Sequence, residues 1–106
     1  MFVRNVSMRL KPNTLNEFTR TLESEIVPLL RKQKGFRDEI TAVVSSEREV
    51  VASSFWDEKE NAEAYNTSAY PQVLASLGKV LEGTPHVRTL EVVSSTFHKI
   101  AARAAA

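Results

Sequence analysis

The chain has 106 residues, 14 lysines and arginines against 13 acidic residues, and no cysteine. That length suits one domain with one core, and a net charge of +1 argues against a surface built on bulk electrostatics for nucleic acid or membrane. Disulfides, thiolate nucleophiles and cysteine-based metal sites are excluded; no apolar run approaches the roughly 20 residues of a bilayer span, and no signal pattern opens the chain, so the expected compartment is the cytoplasm.

Residues 2–10 alternate as a strand, and Lys11-Pro12-Asn13 breaks it. Thr14 and Glu17 have capping-box spacing, and Leu15, Phe18, Leu22, Ile26, Leu29 and Leu30 then repeat on one helical face. Pro28 falls inside that pattern. It removes the backbone bond to the Ser24 carbonyl and predicts a kink or a loosened turn. Gly35 takes the position just past the helix end.

A second strand is expected over residues 36–45, a polar turn at Ser46-Glu47-Arg48, and a third strand over 49–56, paired as a hairpin. Asp57 and Glu60 repeat the capping-box spacing and start a short helix through about Asn66. Residues 67–70 interrupt it, and Pro71 suits the first position of a new helix with Val73, Leu74, Leu77, Val80 and Leu81 as its apolar stripe. Gly83-Thr84-Pro85 ends this helix, and residues 87–97 read as a long fourth strand. Residues 1–98 form the expected domain, and the alanine-rich tail 99–106 has nothing to bury.

The order β-α-β-β-α-β predicts an α+β, ferredoxin-like fold: a four-stranded antiparallel sheet with helices on one face. The strands carry apolar side chains in both registers, such as Val51 and Phe55 opposite Val50, Ala52 and Trp56. Two helices cover only one face, so a homodimer through the other sheet face is the expected partner.

Several short motifs then carry a family likeness. They are Pro28 with Leu29-Leu30, Lys34-Gly35-Phe36, the block from Phe55-Trp56-Asp57 through Ala64-Tyr65, Ser68 and Tyr70, the Leu77/Leu81 helix, and Val92-Val93. In order and spacing the chain resembles the antibiotic biosynthesis monooxygenase family of dimeric α+β barrels, over about residues 2–98. The resemblance implies a homodimeric barrel with a cavity between sheet and helices, holding a small aromatic or apolar ligand. In the family's haem-degrading branch an Asn, a Trp and a His recur; here those positions fall on Asn5, Tyr65 and Ala75, and the last helix has no histidine. In its cofactor-free branch the substrate is its own reductant, and the protein shields and hydrogen-bonds a phenolate-like anion.

By that analogy Asn5, Tyr65 and His98 are candidate catalytic residues, and Trp56, Tyr70 and Phe55 candidate substrate-binding residues, around one pocket, with no cofactor and no metal. Each also has a plain structural account: Trp56 as core packing with a satisfied N–H, Tyr65 as the inward anchor of its helix, Asn5 at a bulge or edge, His98 at a surface strand end. His86 and His98 lie twelve residues apart on the fourth-strand segment, too far for a shared metal on a continuous strand. The functional expectation is a cofactor-independent monooxygenase acting on a small aromatic, quinol or polyketide-like compound. The alternative is a non-catalytic ligand-binding or stress-associated barrel.

Overall fold

The computed structural model describes residues 1–44 and 48–100. Strand β1 (Phe2–Arg9) is followed by a helical arm in three pieces: α1 (Leu15–Thr21), a π-helical segment (Leu22–Ile26) and α2 (Val27–Arg31). Strands β2 (Phe36–Val43) and β3 (Glu49–Trp56) follow, then α3 (Lys59–Ser68), α4 (Tyr70–Leu77) and β4 (His86–Glu91). The sheet order is β2-β3-β1-β4 with every neighbour antiparallel, which is the ferredoxin-like arrangement.

Both helical arms lie on one face. Val6, Met8, Val50 and Trp56 point at them from the sheet and pack against Phe18, Ile26, Leu30, Tyr65, Val73 and Leu77. The opposite positions, Asn5, Ser7, Val51, Ser53 and Phe55, face away and have no helix over them.

Local chemistry moved several boundaries. Pro28 does loosen the helix, through a wider turn: the five residues 22–26 become π-helical and Pro28 lands in the first turn of α2. A proline has no N–H to offer and its ring crowds the carbonyl four residues back, so a locally widened helix relieves both problems. Thr14 does not form the expected capping box, because its hydroxyl donates backwards to the Lys11 carbonyl at 2.7 Å. The second box is shifted by one residue: Glu58 is the N-cap, and Asn61 Oδ1 accepts from the Glu58 N–H at 3.1 Å. Helix α3 extends to Ser68, so only Ala69 separates it from α4. α4 ends at Leu77 with Gly78 as its C-cap, and Leu81 instead bridges to Leu10.

The fourth strand is much shorter than expected. The strand ends at Glu91, and Val92 still donates to the Met1 carbonyl at 2.9 Å. Ser95 Oγ then accepts from the N–H groups of Phe97 and His98, closing a turn that carries both side chains back onto the open face. The polar turn expected at 46–48 lies largely outside the described residues, as do residues 101–106 of the tail. Among the described residues no helix is long and apolar enough to cross a membrane.

Candidate functional site between the sheet and its helices

The floor of the site follows from strand register. On the helix-facing side, Phe2, Trp56 and Phe36 form one aromatic row across β1, β3 and β2. The next row is polar: Thr89, Arg4, Ser54 and Glu39, running across all four strands. The third row, Val87, Val6, Ala52 and Thr41, is mostly apolar again. One polar band therefore crosses an otherwise apolar floor.

Above it lies a cavity of about 50 Å³, walled by Phe18, Leu22, Ile26, Leu30, Tyr65, Tyr70, Val73, Leu74 and Leu77. Its lining is mainly apolar, with Arg4, Glu39, Thr41, Ser53 and Ser54 among the polar exceptions. By volume it holds a few waters. A fused-ring molecule therefore requires the walls to give, and Leu22 and Ile26 stand on the π-helical segment.

Arg4 is the unusual member. It is 3% exposed, and Nη2 donates to Asn66 Oδ1 at 2.7 Å. Its guanidinium carbon stands 4.0 Å from the Tyr70 ring centroid and 5.2 Å from that of Tyr65. Cation–π attraction to two ring faces partly replaces lost hydration. Among the described residues Arg4 makes no ion pair, although buried arginines ordinarily do.

Tyr65 is almost fully buried, and burial pushes its pKa from 10.0 up to about 12 against the opposing pull of Arg4. Its hydroxyl keeps its proton at neutral pH and can serve as a donor. Trp56 stacks behind Tyr65 with ring centroids 5.2 Å apart, and Phe36 meets Trp56 edge-on at 5.6 Å. The Trp56 N–H donates to Ser54 Oγ at 2.9 Å, leaving the serine proton free to point elsewhere. At the other end of the band, Thr41 Oγ1 donates to Glu39 Oε2 at 2.7 Å.

The residues singled out in the sequence do not share one pocket. Tyr65 and Tyr70 line the cavity, and Trp56 is fully buried behind them. Asn5, Phe55 and His98 lie on the opposite side of the sheet. Asn5 Nδ2 donates to Ser53 Oγ at 3.1 Å, its cross-strand neighbour on that face. The expected single cluster is split because Asn5 is out of phase with Phe2, Val6 and Met8, and consecutive strand residues face opposite ways.

His98 packs between Phe55 and Phe97, with ring centroids 5.0 and 4.6 Å away, and its Nε2 pairs with Asp38 Oδ2. Its Nδ1 is buried without a partner among the described residues. Arg4, Ser54 and Glu39 were missed by sequence reasoning. A signal for Arg4 existed: it is a charge in phase with the apolar residues of β1. Among the described residues, no three His, Asp or Glu side chains group as they would around a metal ion.

This is the fold of the antibiotic biosynthesis monooxygenases, with a mainly apolar cavity where sheet meets helices. The chain superposes on a monooxygenase encoded by ActVA-Orf6 of Streptomyces coelicolor, solved with nanaomycin D, with a TM-score of 0.76 and 14% identity over 92% of each chain. A Bordetella bronchiseptica protein named for the same family gives 0.74 at 12% identity, over 88% of this chain and 98% of that one. A Nitrosomonas europaea protein of unknown function gives 0.75 at 14%, over 92% and 94%. No protein-family model matches the chain, and no curated protein matches it in sequence.

Proposed function

We propose that the protein is a cofactor-independent monooxygenase acting on a small electron-rich aromatic compound, a quinol or a polyketide-like phenol. The carrying observation is the polar band on an apolar floor, where Arg4 and a protonated Tyr65 converge on one cavity. The similar monooxygenase from S. coelicolor, solved with nanaomycin D, supports the same reading.

In such a reaction the phenol gives up its proton, and the resulting anion passes an electron to dioxygen. The radical pair joins at carbon, and loss of water from the hydroperoxide leaves a quinone. Here the Arg4 guanidinium and the Tyr65 hydroxyl hold the substrate oxygen as its anion, which raises the electron-donating power of the ring. The proton passes along the band to Ser54, whose own hydroxyl proton is free to move on, and from there to Glu39 at the far end. The apolar walls keep water from the reactive pair.

Oxygen uptake with a panel of quinols and anthrones tests this. The wild type should exceed the background oxidation rate at least tenfold, and Tyr65→Phe should lose most of the gain. No uptake, with the compound recovered unchanged from a bound state, would leave the protein as a ligand-binding module.

The open sheet face, we further propose, is covered by a second copy of the chain, so that the working unit is a dimeric barrel built from residues 1–98 in the cytoplasm. Ile40, Leu90 and Phe97 are 50%, 41% and 64% exposed on that side, beside Val51 and Phe55. Such an apolar surface is unusual for a monomer. Asn5 and His98 would then act in the interface or as residues reached from it.

A further inference from the structure

Two hollows meet at Arg4. One is the interior cavity; the other is a cleft on the surface between α3 and β4, walled by Glu63, Asn66, Thr67 and Thr89 with Val87 below. Arg4 lines both, and so forms the partition between them. Its single hydrogen bond is to Asn66, a neutral acceptor. The other guanidinium nitrogens have no partner among the described residues and are not sealed under apolar atoms, so they face hollow space. Glu63, the acid on the same cleft, is engaged with Lys59 at 3.8 Å instead. Glu39 is two strands away along the row and bonded to Thr41.

A desolvated guanidinium with one neutral hydrogen bond is far from its best arrangement. A planar anion would satisfy it with a two-pronged pair, while Tyr65 and Tyr70 already flank the position with aromatic faces. We propose that this pocket selects planar aromatic anions, carboxylate or phenolate, whose charged oxygens displace Asn66 Oδ1 from Arg4, and that they enter through the α3–β4 cleft. The inference deepens the oxygenase reading by fixing the charge of the substrate, and it rests on that reading only for the identity of the pocket.

The test compares two anions with neutral isosteres on the full chain: 4-nitrophenol against 4-nitroanisole, and 2-naphthoate against 2-naphthamide. Quenching of the single Trp56 beside Tyr65 reads binding. At least one anion should bind ten times more tightly than its isostere, and which one does so tells phenolate from carboxylate. Bound 4-nitrophenol, if it is the preferred class, should show its visible phenolate band at a pH where the free compound is still protonated.

In Arg4→Met the preference should shrink to within twofold, whereas Asn66→Ala, which removes the competing acceptor, should keep or increase it. Should Arg4→Met fail to fold, the wild-type isostere comparison still decides. Equal binding of anion and isostere, no binding of either anion at millimolar concentration, or a preference that survives Arg4→Met would each overturn the proposal. Thr89→Phe, which narrows the cleft from β4 and leaves Trp56 the single tryptophan, should slow association about tenfold at unchanged melting temperature, and an unaltered rate would overturn the route of entry. Anion preference without quinol-dependent oxygen uptake would remove the oxygenase and leave the subsite. Uptake without preference would do the reverse.

Discussion

The two faces of the sheet are made by the same strands and differ in nearly everything else. The helix-covered face holds Trp56, Val50 and Leu10 with no exposure at all, and Arg4, Ser54 and Glu39 of its one polar band each take part in a hydrogen bond. The open face leaves Ile40 and Leu90 half bare, and its polar groups include a cross-strand Asn5–Ser53 pair and the Asp38–His98 pair. On one side burial was completed within the chain, and the remaining irregularity is a small cavity around a cation. On the other side it was left for something else to complete. Which face a residue occupies therefore tells more about its role than its chemical type does.

The sharpest way to break this comparison is to remove the anchor of the covered face. Trp56→Ala should destabilise the protein by about 3–5 kcal/mol, the usual cost of emptying a large aromatic site, and urea unfolding would show it. A loss under 1 kcal/mol would mean that the covered face is not the core.

Next is the titration of Tyr65. Its folded pKa of about 12 stands above the ordinary 10.0. The unfolded chain loses this proton first, so the contribution is intact below pH 10 and is lost as pH rises through 10 to 12. About 2–3 kcal/mol is at stake at 1.36 kcal/mol per unit. Stability measured by denaturant across that range should fall less steeply in Tyr65→Phe than in the wild type.

Gly35→Ala probes the join between the first helical arm and the base of α3. Gly35 has φ +79°, and an added Cβ would sit 2.1 Å from Asn61 Oδ1, the atom that caps α3. A loss of about 1–3 kcal/mol is expected from strain and the broken cap, read from the thermal midpoint.

The smallest stability effect belongs to the open face. Ile40→Lys with Leu90→Lys should change protomer stability by no more than about 0.5 kcal/mol. Sedimentation, however, should shift from twice the 11.9 kDa chain mass to a single copy. A wild type that already sediments as a single copy at micromolar concentration removes the dimer.

Much of this architecture is legible in the amino-acid sequence. The strand–helix order, the hairpin of β2 and β3, the opposed sets of Val51 with Phe55 and Val50 with Trp56, and the disturbance at Pro28 all come from patterns within ten or so residues. The candidate site is only half legible. Tyr65 and Tyr70 sit on the cavity because their helices have a single inward side, whereas Asn5 stands out by its residue type while its phase puts it on the other face. Phase is also what marks Arg4, since it interrupts the set Phe2, Val6, Met8 and Leu10. The end of β4 is illegible for another reason. Residues 92–97 have strand-like composition, but the Ser95 hydroxyl holds the N–H groups of Phe97 and His98 in a turn that composition does not announce.

Taken alone, the chain's pattern determined the fold and the division of each strand into two faces, because periodicity and chain breaks are local properties. Tertiary structure alone decided that Arg4, Ser54 and Glu39 form one row, that Asn66 reaches the guanidinium, and that His98 returns to the open face. Those meetings join residues dozens of positions apart, and only strand register and helix placement bring them together.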